Sequence, residues 1–212
     1  MSDSFRSGNF RKEDLRIVKT NKTLVLAMLS LLRRRNFNRI TVYDLCGEAL
    51  VSRTTFYAHF NDKYSLLRHC LEDLETALVQ VPPETRAAVI TQYIQTQRSV
   101  LANLLSDANA ELRAILTDFL SRLAGEVFPV APDRAPSVHR GDLSLFCGGG
   151  LLSLLLWLVN KNFPTGSETL ALYLCEMLQA LYRWDAEWPG PATARTADDA
   201  SPEPPERPPS AF

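Results

Sequence analysis

The sequence predicts an all-α protein of about eight helices, and three observations carry that prediction. Apolar residues recur every three to four positions in each long segment, the period of one face of a helix. No segment alternates apolar and polar residues with period two, and no Asn-Gly turn marks a hairpin. Glycine and proline are confined to a few breaks. None lies from Asn9 to Cys46, where only a polar step at Asn36–Asn38 divides the stretch. Pro82-Pro83 makes a second break, and three prolines and a glycine between Pro129 and Gly141 make a third.

Residues 1–11 form a polar arm, expected to be disordered and lacking the apolar core of a secretory signal. Residues 12–76 follow as a first helical unit, opened by a stripe of Ile17, Leu24, Met28, Leu31 and Leu32 with Arg16, Lys19, Lys22 and Arg33 off it. Residues 77–188 make a second unit. Its stripes are Val89, Tyr93, Val100, Leu101 and Leu104; then Leu112, Ile115, Phe119 and Leu123; and finally Leu170 to Tyr182. The last 24 residues, 189–212, contain seven prolines and almost nothing large and apolar, so they are expected to be disordered.

A hydrophobic fraction of 46% with 22% charged residues excludes a wholly disordered chain. The net charge of −1 argues, as an average, against nucleic acid, but it conceals an asymmetry. Residues 1–75 hold 13 Lys and Arg against 9 Asp and Glu; residues 76–212 hold 10 against 15. A basic first third points to nucleic acid at that end. The four cysteines (Cys46, Cys70, Cys147, Cys175) form no CxxC pair and have no histidine at ligand spacing, so reduced, buried thiols are expected and no metal site.

The most informative stretch is Arg39 to Leu67. Thr41 can cap a helix over 42–49, with Asp44 three residues on, and Leu45 and Ala49 share one face. The chain turns at Leu50-Val51, and Ser52 can cap a second helix from Arg53, in which Phe56 and Phe60 face inward. Thr54, Thr55, Tyr57, Ala58 and His59 are left facing outward. Two short helices, a tight turn and a polar outer face describe a helix-turn-helix. Arg53 can offer paired donors to a guanine edge or a phosphate; Thr54 and Thr55 carry a hydroxyl and a methyl; Tyr57 reaches the backbone. Lys63, in the first turn of the next helix, adds charge where phosphate is already attracted. A merely solvated helix face is the alternative.

These residues carry a resemblance. Ile40-Thr41, Val42, Asp44-Leu45-Cys46, Ala49, Val51 to Tyr57, His59-Phe60 and Asp62-Lys63 with Leu66-Leu67 resemble the N-terminal domain of the TetR family of bacterial transcriptional regulators, over Lys22 to Leu74. The resemblance implies a cytoplasmic homodimer on a palindromic operator in double-stranded DNA, more often a repressor, controlled by a small-molecule effector. Carried over by position, Thr41, Tyr57 and Lys63 match phosphate-contacting residues, and Arg53, Thr54, Thr55 and His59 fall on the recognition helix, capped by Ser52. The family usually has glycine where Leu50 stands. That departure leaves a second reading, a helical adaptor that acts through protein partners without touching DNA.

Leu143 to Val159 is an uncharged run of seventeen residues with eight leucines, short for a membrane span and expected to be a helix buried between neighbours. Its pattern from Phe146 onward loosely resembles a TetR subgroup that includes regulators of small-metabolite pathways and activators. By that resemblance, helices near 142–161 and 167–184 form the dimer interface, with Trp157, Tyr173, Met177, Leu181 and Trp184 as contributors. An effector pocket is expected between helices 85–105, 109–128 and 142–161, where Tyr93, Gln97, Asn103, Phe119 and Phe146 mix aromatic surface with polar handles. No cofactor and no enzymatic activity are expected: His59, His69 and His139 have no nucleophile signature beside them, and Gly148–Gly150 lies in an apolar run, not in a phosphate-binding loop.

Overall fold

The computed structural model describes residues 4–127, 140–163, 176–177 and 180–181. They are helical throughout, as expected: α1 (Ser4–Leu32), α2 (Val42–Ala49), α3 (Arg53–His59), α4 (Lys63–Val79), α5 (Pro83–Thr96), α6 (Arg98–Leu105), α7 (Ala110–Val127) and α8 (Arg140–Asn160), with a 3-10 turn at Phe37–Arg39. The Pro-rich tail and most of the expected helix over 167–184 lie outside the described residues. α1 begins at Ser4, inside the segment 1–11 expected to be a disordered arm, and runs through Gly8.

Local chemistry starts and stops these helices. Thr41 caps α2 through a reciprocal box with Asp44, and Asp62 caps α4 through one with Ser65. Ser52 Oγ accepts from the Thr55 amide at 3.0 Å to open α3, and Asn109 Oδ1 accepts from Leu112 at 2.9 Å to open α7. Pro83 stands at the start of α5, where its missing amide costs nothing. The helix expected over 85–105 is two: Gln97 (φ −105°, ψ 23°) leaves helical geometry and separates α5 from α6.

One hydrophobic core runs through both units. Leu24, Met28 and Leu32 of α1, Leu45 of α2, Phe56 of α3 and Leu66 of α4 join Leu104 of α6, Leu112 and Phe119 of α7 and Leu152 of α8. α7 and α8 pack most extensively. Gly148 permits that approach: a Cβ there would lie 2.7 Å from the Ser121 amide nitrogen and 2.8 Å from its Cα. Cys46 and Cys147 are buried and Cys70 half-buried, and none of the three is in a disulfide.

Candidate nucleic-acid interface

α2 and α3 are joined by a turn whose pivot is Leu50, at φ 54° and ψ 39°. This is the left-handed region, where a Cβ costs roughly 1–2 kcal/mol. Leu50 therefore takes the conformation a glycine would take, and the turn closes normally, with the Val51 amide donating to the Cys46 carbonyl at 3.1 Å. Its side chain is 93% exposed. Behind the turn, Leu45, Ala49, Phe56 and Phe60 are buried, so the inward face is the one the spacing predicts. Two ion pairs fasten α2 to the end of α1: Arg34 to Glu48 at 2.7 Å and Arg35 to Asp44 at 2.9 Å. Hydrogen bonds from Thr41, with Arg35 beside it, hold the Asp44 carboxyl below the usual carboxylate range.

The candidate contact residues divide into two sets. Arg53, Thr54 and Tyr57 are exposed on α3 and face solvent, with Arg53 and Tyr57 one helical turn apart. The others are engaged within the chain. Thr41 Oγ1 donates to Asp44 Oδ2 at 2.6 Å and accepts from its amide, so it serves the α2 cap. Ser52 and Thr55 share a hydroxyl contact at 2.8 Å. His59 does not face outward: its Nδ1 lies 2.7 Å from Asn21 Oδ1 and ties the end of α3 to α1.

Lys63 departs furthest from expectation. Its Nζ donates to the carbonyls of Phe37 (3.0 Å), Asn38 (3.2 Å) and Ile40 (3.0 Å). It also stands 4.7 Å from the Phe37 ring centroid and 5.6 Å from that of Tyr64. Burial lowers its pKa. The ammonium thus closes the 3-10 turn that leads into α2. Sequence reading also missed Tyr43, 78% exposed on α2. It lies with Gly47 and Leu50 at i, i+4 and i+7, and that spacing on an otherwise core-facing helix was the available signal.

Beneath the helix-turn-helix lies a largely apolar cavity of about 90 Å³, lined by α1 (Met28, Leu32), α4 (Leu67, Cys70), α5, α6, α7 and α8. Tyr93, Gln97 and Phe119 are among its lining residues. Asn103 does not: its Nδ2 donates to the Leu32 carbonyl at 2.8 Å. Phe146 is 71% exposed and turned away from it. Burial raises the Tyr93 hydroxyl pKa and, with Asp73 adding to it, pushes the Cys70 thiol up to about 12, so both stay protonated.

A polar bracket joins the α6–α7 turn to the α1–α2 connection. Asn36 Nδ2 donates to Ser106 Oγ at 2.8 Å and to Asp107 Oδ2 at 2.9 Å. Asn38 Nδ2 donates to the Asp107 carbonyl at 2.5 Å, and Asn109 Nδ2 to Tyr64 Oη at 2.8 Å.

The expectation that α8 is buried all round holds on one side only. Cys147, Leu152 and Leu158 are buried, while Leu145, Phe146 and Trp157 are exposed. Asp142–Asn160 is long and apolar enough to cross a membrane, and 22% of that window is buried inside the chain. Met177 is exposed, and Leu181 packs on Ala124 and Cys147. Tyr173 and Trp184 lie outside the described residues.

Residues 24–70 match the family model of the bacterial regulatory proteins, tetR family. Over 80 residues the chain is 28% identical to an uncharacterized HTH-type transcriptional regulator, YxbF, of Bacillus subtilis (strain 168); the match covers 38% of this chain and about a fifth (21%) of that relative's length. A TetR transcriptional regulator from Streptococcus agalactiae 2603V is 27% identical with a TM-score of 0.51, covering 79% of this chain and 98% of that one. The dihydroxyacetone kinase operon activator DhaS, 14% identical with a TM-score of 0.56, covers 78% of this chain and 97% of its own and shares the fold. Residues 24–70 thus form a capped helix-turn-helix of the kind carried by the bacterial regulatory proteins of the tetR family, and the rest of the chain shares the all-helical fold of these structures.

Proposed function

We propose that the protein is a homodimeric repressor that binds a palindromic DNA operator in the cytoplasm and is released by a small, neutral, mostly apolar effector. The observation that carries the reading is the face of α3, where Arg53, Thr54 and Tyr57 stand clear of the protein while Phe56 and Phe60 are buried behind them. Arg53 suits a guanine edge, Thr54 a thymine methyl or phosphate, and Tyr57 a phosphate. The adaptor reading loses its motive, because Leu50 keeps the left-handed turn that a glycine would make.

Dimerisation is supported by α8. Gly149 and Gly150 have nothing within 4 Å of a would-be Cβ among the described residues, so no packing described there calls for glycine. They sit between exposed Phe146 and Trp157, and a second copy laid along this stripe would cover the apolar side chains and use the close approach. The effector reading rests on the cavity, whose walls offer apolar surface with Tyr93 and Gln97 as polar handles. α6 lies between that cavity and the amide bracket, so a ligand that shifts α6 changes the hold on the α1–α2 connection.

The test is a gel shift on the DNA upstream of the gene encoding this chain, with Arg53→Ala and Tyr57→Phe variants, alongside light scattering for mass. Sequence-selective retardation by a dimer, weakened about tenfold or more by Arg53→Ala, is expected. A monomer, or equal binding by wild type and Arg53→Ala, refutes the assignment.

A further inference from the structure

The basic N-terminal part of α1 stands apart from the core. Residues Leu15 to Lys19 are all exposed, and five successive helical residues point in every direction around the axis, so among the described residues none packs closely against this part of α1. The first buried side chain of α1 among the described residues is Leu24. Of the 13 lysines and arginines in residues 1–75, six fall within residues 4–22 (Arg6, Arg11, Lys12, Arg16, Lys19, Lys22), against Glu13 and Asp14. Arg16, Lys19 and Lys22 are exposed, and no acidic side chain among the described residues pairs with them.

The rest of the reading head has spent much of its positive charge. Arg34 and Arg35 are paired with Glu48 and Asp44, Arg68 lies 3.9 Å from Glu111, and Lys63 is bound to three carbonyls. The projecting helix also has a fixed position relative to the recognition helix, because Asn21 contacts His59 at the end of α3. Arg16, Lys19 and Lys22 thus begin beside the recognition helix and extend along α1 by about 1.5 Å per residue.

Resting on the DNA-binding reading above, we infer that the N-terminal part of α1 is a second DNA-contacting element, in which Arg16, Lys19 and Lys22 neutralise phosphates flanking the bases read by α3. It supplies sequence-independent affinity, while Arg53, Thr54 and Tyr57 supply selectivity. The exposed Leu15 and Val18 on the same segment would suit a protein partner instead, but the exposed cations and the tie to α3 favour DNA.

The test compares full-length wild type with the Arg16→Gln/Lys19→Gln/Lys22→Gln variant on a labelled random-sequence duplex, by fluorescence anisotropy between 50 and 200 mM KCl. Each lost phosphate contact lowers the slope of log affinity against log salt by roughly 0.9, about 2.7 per protomer. Over that fourfold salt range wild type should lose about fortyfold more affinity per protomer than the variant. Salt-sensitive wild-type binding with an unchanged slope in the variant overturns this inference alone. An unchanged slope with a smaller assembly in light scattering overturns it in favour of contact between copies. Failure of the wild type to bind any duplex at 50 mM KCl overturns the DNA-binding reading and the inference together.

Discussion

Replacing Lys63 with methionine separates a structural lysine from a DNA-contacting one. The ammonium holds three carbonyls, but they do not suffer equally when it goes. Phe37 O keeps the Ile40 amide at 3.1 Å, and Asn38 O is exposed enough to take water. Ile40 O is part-buried and loses its partner, which costs about 1–3 kcal/mol. Loss of the cation from the Phe37 face, 4.7 Å away, adds about 1 kcal/mol. Removing a partly buried charge returns some of this, and methionine keeps most of the apolar stem, so the net loss should be about 2 kcal/mol. For a chain of this length that lowers Tm by about 4–8 °C. The assay pairs thermal unfolding by circular dichroism with the salt dependence of DNA binding, measured well below Tm. Lys63→Met should lower Tm and leave the salt slope unchanged. An unchanged Tm with a slope flattened by about one unit would refute the reasoning and return Lys63 to the DNA backbone.

Three further outcomes follow from particular contacts. Leu50→Gly should stabilise the fold by about 0.5–1 kcal/mol in urea unfolding, because relief of left-handed strain exceeds the extra entropy of glycine and the exposed side chain touches little; destabilisation would show that the side chain has a partner. Gly148→Ala should cost about 1–3 kcal/mol by pressing on the Ser121 backbone, whereas Gly150→Ala should leave monomer stability unchanged or slightly raised while weakening the dimer in a dilution series. Glu75 of α4 is buried 3.3 Å from Arg122 of α7, and desolvation raises its pKa above 4.5 despite Arg122, with Glu126, Asp118 and Glu72 raising it further. Its folded state holds the proton longer than the unfolded chain does, so stability from this group is greatest below pH 4.5 and declines as pH rises through the folded pKa. Urea midpoints across that window should fall less with pH in Glu75→Gln than in wild type.

The parts of the molecule that could be read from its sequence are those set by neighbours a few residues apart. Thr41 with Asp44, Ser52 with Thr55, Leu45 with Ala49 and Phe56 with Phe60 specify two capped helices with one buried face, and the structure has them. The same short-range logic could not rank the two uses open to some side chains. Thr41, Ser52 and Lys63 carry groups suited to phosphate, but unsatisfied helix amides and 3-10 carbonyls lie closer than any ligand and take them first. Asn103 and Phe146 failed as cavity residues because helical periodicity gives a face but not the neighbour opposite it. The bracket between Asn36 and Asp107 spans 71 positions, and nothing in local spacing announces such a pair.

Those long-range bonds change what the division into two units means. The boundary expected near residue 76 falls inside α4 (Lys63–Val79), and Met28 and Leu32 line the same cavity as Phe119 and Leu152. The Leu32 carbonyl, at the last residue of α1, is held by Asn103 of α6, and the connection that follows is held by the next turn through Ser106 and Asp107. A displacement of α6 by a cavity ligand therefore strains three amide contacts on the segment that positions α2, without first having to move α4. Removing those contacts one by one, beginning with Asn36→Ala, should loosen the tie between cavity occupancy and DNA affinity while leaving the cavity lining untouched. The strength of allosteric coupling would then follow the bracket and not the pocket, because a ligand can shift DNA affinity only through contacts that differ between the two states.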